Sequence, residues 1–126
     1  MTIHEKLIEL RACKDARQWA EGKTIKEIWA TCHRGDWMLW LWRRIYPYDF
    51  QTLTLAKGHC AATVLHLMTD ERSRKAVQAA IDFGEGKIGR EELDAAADAA
   101  YAAAYAARNQ QATADICRKY LKCPEI

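Results

Sequence analysis

The sequence lacks the glycine-rich loops that cradle phosphates. Its six glycines form neither GxGxxG nor GxxxxGK[ST], which argues against dinucleotide-binding and Walker-type sites. There are only two prolines and two phenylalanines. No segment alternates apolar with polar residues, even around the β-branched residues, so a sheet is not expected. The five cysteines are odd in number and include no CxxC. Mostly buried thiols in a reducing cytoplasm are therefore expected. The longest purely apolar runs, Trp37–Trp42 and Ala99–Ala107, fall far short of a membrane span, and no secretory leader pattern follows Met1. A net charge of +2 is too small to argue for nucleic acid by itself.

Half of the 126 residues are hydrophobic, but 22 of them are alanine, which contributes helix propensity more than buried area. This length suits one domain spanning residues 1–126. The large apolar residues lie mainly before Phe83, so the first two-thirds must build most of the core. Charge is uneven along the chain. Residues 11–46 hold eight Lys/Arg against four Asp/Glu, and residues 84–107 hold two against five. Such polarity suits docking between complementary surfaces, within the chain or with a partner, although solvated helix faces have the same composition.

Every segment reads as helix. Thr2-Ile3-His4-Glu5 and Thr24-Ile25-Lys26-Glu27 match capping boxes, in which hydroxyl and carboxylate satisfy opposite main-chain amides. Gly22 stops a short helix carrying Trp19, Gly35 breaks the next, and Asp36 is placed to cap the tryptophan helix that Pro47 ends. Asp49 is placed to cap a helix reaching about Met68, with Gly58 marking close packing, and Asp70 to begin another that Gly86 closes. A last alanine-rich helix is expected from near Arg90 to Lys122. The expectation is an all-α, compact single-domain bundle of five to seven helices. Its buried residues should include Trp29, Trp37, Leu41, Ile45, Leu53, Val64, Leu67 and Ile81.

Asp36-Trp37-Met38-Leu39-Trp40-Leu41-Trp42-Arg43-Arg44 holds three of the five tryptophans. At 100° per residue, Trp37, Met38, Leu41, Trp42 and Ile45 share one broad apolar face. Trp40 projects between Arg43 and Arg44 on the opposite side. It belongs either to a second buried face or to a cation–π platform for an acidic partner or a phosphate-bearing base, backed by Arg11, Lys14 and Arg17. On the last helix, Asp94, Asp98, Tyr101 and Tyr105 form a stripe opposite the thin alanine face. Tryptophan, tyrosine and arginine dominate binding hot spots, so both places are candidate partner surfaces.

Cys32-His33 and His59-Cys60 are two Cys/His pairs, but helical neighbours point about 100° apart and would struggle to share one ion. No metal or other cofactor is expected. A cysteine nucleophile with His33 or His59 as base and Asp36 as orienter is conceivable, but the sequence offers no strained elbow or oxyanion loop. The chain is therefore read as a non-enzyme.

From Asp36-Trp37-Met38-Leu39-Trp40-Leu41 the chain resembles a family of small alanine-rich helical proteins named as immunity proteins, found near bacterial polymorphic toxins and in phage genomes. The similarity extends to Ile28-Trp29-Ala30-Thr31-Cys32, His59-Cys60-Ala61, Ala76-Val77-Gln78-Ala79-Ala80-Ile81 and the Ala/Asp/Tyr tract at 95–107. Family members often carry a longer repeat of that tract. The resemblance implies a stoichiometric inhibitor of a protein partner, a toxin or a defence-system component, of immunity or anti-CRISPR type. The alternative is a nucleotide- or nucleic-acid-binding module, such as a phage protein that sequesters a signalling nucleotide. A flat surface would favour the protein partner, and a closed Trp- or Tyr-lined pocket with Arg/Lys the nucleotide.

Overall fold

The computed structural model describes residues 2–63, 65–67, 71–95 and 110–125. Among these residues there are eight α-helices, one 3-10 turn at Leu65–Leu67, and no strand. The helices are α1 (Ile3–Glu9), α2 (Lys14–Ala20), α3 (Ile25–Thr31), α4 (Gly35–Ile45), α5 (Phe50–Ala62), α6 (Glu71–Gly84), α7 (Arg90–Ala95) and α8 (Gln110–Tyr120). The fold is all-α, as expected. The count passes seven because the expected last helix is represented by two described pieces, α7 and α8. Residues 96–109 between them lie outside the described residues.

The helix starts follow from local chemistry. Thr2 and Glu5 form the full capping box, with bonds of 3.1 and 3.2 Å. Thr24 accepts from the Glu27 N–H at 3.2 Å and donates its hydroxyl to the Glu27 carboxylate. Asp49 accepts from the Thr52 N–H at 3.1 Å. Asp36 does not cap α4. The cap position belongs to Arg34, which makes no side-chain cap bond, and Asp36 sits in the first turn. Its carboxylate is held there by the Arg34 guanidinium at 3.0 and 2.7 Å, a bidentate pairing that competes with capping.

The main core joins α3, α4, α5 and α8. Trp42 lies at its centre at 1% exposure, with Trp29, Met38, Leu53, Cys60, Ala114 and Cys117 around it. Glycines set the helix spacings. A Cβ on Gly35 would collide with both the side chain and the main chain of Thr113, so α4 and α8 cross in direct contact. Cys117 of α8 donates its thiol to the Gly35 carbonyl at 3.7 Å. The same device joins α5 to α6, where Gly58 meets Ala80 and Ile81, as the sequence suggested, and Gly84 meets Leu55.

Trp29, Leu41 and Leu53 are buried as expected. Trp37, Ile45 and Ile81 are only half-buried. Trp37 turns toward Trp19 and His33 instead of entering the centre, because Trp42 already fills the space beneath α8. Val64 and the side chain of Leu67 lie outside the described residues.

Candidate functional site

Helices α1, α2 and α3 are seven residues each, too short to be stable alone. They pack as a cap on α4, where Leu7, Ala12, Ala20, Ile28 and Leu41 form a second buried cluster. Ala16 and Ala20 give α2 a thin face, and the space left between cap and α4 is a cavity of about 480 Å³. Four tryptophans line it: Trp19 from α2, Trp29 from α3, and Trp37 and Trp40 from α4. Its charged lining residues are Arg11 and Asp36.

Cations sit against three of these indoles. Lys23 Nζ lies 4.8 Å from the Trp19 ring centre, the Arg34 guanidinium 4.4 Å from Trp37, and that of Arg44 5.2 Å from Trp40. Such contacts hold the rings in place and put positive charge beside the aromatic wall. Trp19 and Trp37 are themselves in contact, with ring centres 6.2 Å apart, and His33 packs edgewise on both. The α3 wall is anchored from far along the chain. Arg118 of α8 donates to the carbonyls of Trp29 at 3.2 Å and Cys32 at 2.7 Å, two carbonyls at the C-terminal end of α3. The indole N–H of Trp29 is buried and has no hydrogen-bond partner among the described residues.

Arg11 enters the lining through an unusual backbone. Its N–H donates to the Ile8 carbonyl and that of Ala12 to the Leu7 carbonyl, the paired bonds of a Schellman helix ending. Arg11 occupies the left-handed position at φ 62°, where glycine is the usual residue. Gly86 fills the same position after α6 at φ 79°. A non-glycine residue there costs about 1 kcal/mol.

Of the expected site residues, Trp40 is half-buried on the cavity wall and against the second cluster, so it joins a second packed face and also carries a cation on its ring. Arg43 and Arg44 are both exposed but diverge. Arg44 lies over Trp40, whereas Arg43 faces α5, where burial first and the Arg43 charge second lower the Lys57 pKa. Asp94 is exposed and paired with Arg90 at 3.1 Å. Asp98, Tyr101 and Tyr105 lie outside the described residues.

The Cys32 thiol donates to the Arg34 carbonyl at 3.5 Å, and burial pushes its pKa up, which opposes a nucleophilic thiolate. His33 packs on the tryptophans, and His59 stacks on Tyr120 at 4.2 Å. Burial lowers the His59 pKa. Among the described residues no three His, Cys, Asp or Glu side chains gather as metal ligands, the five cysteines form no disulfide, and no helix is long and apolar enough to cross a membrane.

Sequence reasoning assigned Trp29 and Trp37 to the core and gave Trp19 no site role. The signals for the cavity were present but diffuse: two short helices each carrying one tryptophan, Trp19 in α2 and Trp29 in α3, and Ala12, Ala16 and Ala20 at four-residue spacing. Compared with known proteins, the chain matches no family model, no curated protein and no solved structure.

Proposed function

We propose that this chain is a non-catalytic binding protein that acts by sequestration in a reducing cytoplasm, with the tryptophan cavity as its recognition site. The observation that carries this reading is the allocation of aromatic residues. Four of five tryptophans line one cavity, Trp29 from a buried position that it shares with the main core, and Trp42 alone lies away from it. Indoles supply large, rigid contact area at low entropic cost and are the side chains most often responsible for binding energy. The raised Cys32 pKa and the engagement of Asp36 by Arg34 favour binding over covalent chemistry.

A second reading, carried by the exposed Arg43 and Arg44, makes the chain an immunity-type or anti-CRISPR-type inhibitor of a protein partner. The cavity would then receive an apolar anchor side chain while the arginines meet an acidic surface. The resemblance to the immunity-protein family supports this version.

Both versions require the cavity to accept an apolar group, for which an aromatic dye is a probe. Titration with the uncharged dye phenylnaphthylamine should show one dye per folded chain, with quenching of tryptophan fluorescence. Ala16→Phe should fill the cavity, keep or raise thermal stability, and abolish uptake. A folded wild-type chain that takes up no dye defeats the proposal.

A further inference from the structure

We infer that the tryptophan cavity takes a planar aromatic ring bearing an anionic group, with the ring among the indoles and the anion on Arg11. The inference rests on the binding reading above and names the class of ligand. A volume of about 480 Å³ lies within the range of small-molecule sites, roughly 300–1,000 Å³. Indole faces stack on planar rings with little regard to their substituents. The walls therefore select for shape, and charge must select among shapes.

The charges beside the cavity favour an anion. Of the two charged lining residues, Asp36 is bound by both arms of Arg34, which offsets its charge locally. Arg11 is exposed and makes no ion pair among the described residues. Lys23 and Arg44 add positive charge at Trp19 and Trp40. A cationic ligand would enter against this field, whereas an anion gains from it.

The backbone of Arg11 is an independent pointer. Its left-handed φ of 62° is the conformation that glycine adopts at Gly86 in the matching helix ending. Strain of this kind is concentrated at ligand sites. Here it places Arg11, whose guanidinium is the planar donor suited to carboxylate and phosphate, among the residues lining an aromatic cavity.

Fluorescence titration of the full chain with anilinonaphthalene sulfonate, beside uncharged phenylnaphthylamine, tests the inference. The sulfonate should bind as one dye per chain and about tenfold more tightly than the uncharged dye, as expected for one added charge-assisted hydrogen bond. Arg11→Gly suits the backbone, so its melting temperature should hold or rise while the preference for the sulfonate disappears. Ala16→Phe should block both dyes. Equal affinities in the wild type, or a preference that survives in Arg11→Gly, overturn the anion inference and leave the binding reading standing. Uptake of neither dye overturns both. Competition then assigns the anion: displacement by adenosine monophosphate indicates phosphate and displacement by indoleacetate a carboxylate. Displacement by neither overturns the extension to natural aromatic anions.

Discussion

The indole N–H of Trp42 donates to the main-chain carbonyl of Lys122 at 3.2 Å, across eighty positions of sequence. The bond fixes the rotation of α4 about its own axis. With Trp42 turned under the end of α8, the other tryptophans of the run must face elsewhere, and Trp37 and Trp40 line the cavity.

Trp42→Ala should cost about 3–5 kcal/mol, a large part of the stability of a chain this size. Trp42→Phe keeps a ring but loses the Lys122 bond, and should cost roughly half as much. Urea denaturation followed by far-ultraviolet circular dichroism measures both. Equal losses would assign the whole effect to the Lys122 hydrogen bond, the one interaction that both variants remove.

Glycine substitutions should separate cleanly by position. Gly35→Ala drives a methyl group into Thr113 and should destabilise by several kcal/mol or prevent folding. Gly89 has no atom near its would-be Cβ and no left-handed φ, so Gly89→Ala should be neutral or stabilise by about 0.4–1 kcal/mol. Thermal melts of the two variants provide the comparison.

Stability should fall as pH rises above about 9. The folded thiols of Cys32 and Cys123 are pushed up by burial, and that of Cys117 by the adjacent Cys60 thiol and by burial. An unfolded thiol ionises near 9.0. Above that point the unfolded chain gives up protons that the native chain keeps, and the stabilisation present at lower pH is lost. Lys57, lowered from 10.5 by burial, works in the opposite sense, but three thiols oppose one amine. Denaturation midpoints at pH 8 and pH 10 under reducing agent should show the fall, and Cys117→Ala should show less of it.

Arg43→Glu with Arg44→Glu should leave stability within about 1 kcal/mol, since exposed charges and an exposed cation–π contact contribute little. Binding to an acidic protein partner should weaken, chiefly through slower association, which biosensor kinetics at two salt concentrations would resolve. A folded double mutant with wild-type association would remove the basic surface from consideration.

Helix starts at Thr2, Thr24 and Asp49 and the stops at Gly22 and Gly86 were the most legible part of this chain, because these residues act through local geometry, whereas α5 ends at Ala62 and not near Met68 as expected. The close packing at Gly58 was legible too, since a glycine inside a helix needs a neighbour to justify its cost. The division of labour among the tryptophans was not. Projection put Trp37 and Trp42 on one face, and only the arrival of α8 decides which of them is enclosed. Arg11 was legible only as part of the basic group behind Trp40; its left-handed backbone gave no signal, because no glycine marks that helix ending. Asp36 illustrates a local rule overridden, its carboxylate drawn from the cap by Arg34.

Arg118 also sets a schedule. The carbonyls of Trp29 and Cys32 that it binds are 89 and 86 residues earlier in the chain. During synthesis all four wall tryptophans emerge long before the side chain that finishes their support. Until then the α3 wall lacks the two hydrogen bonds that Arg118 supplies. Capacity to bind should therefore arrive in one late step, when α8 docks, and not grow with the length of chain made.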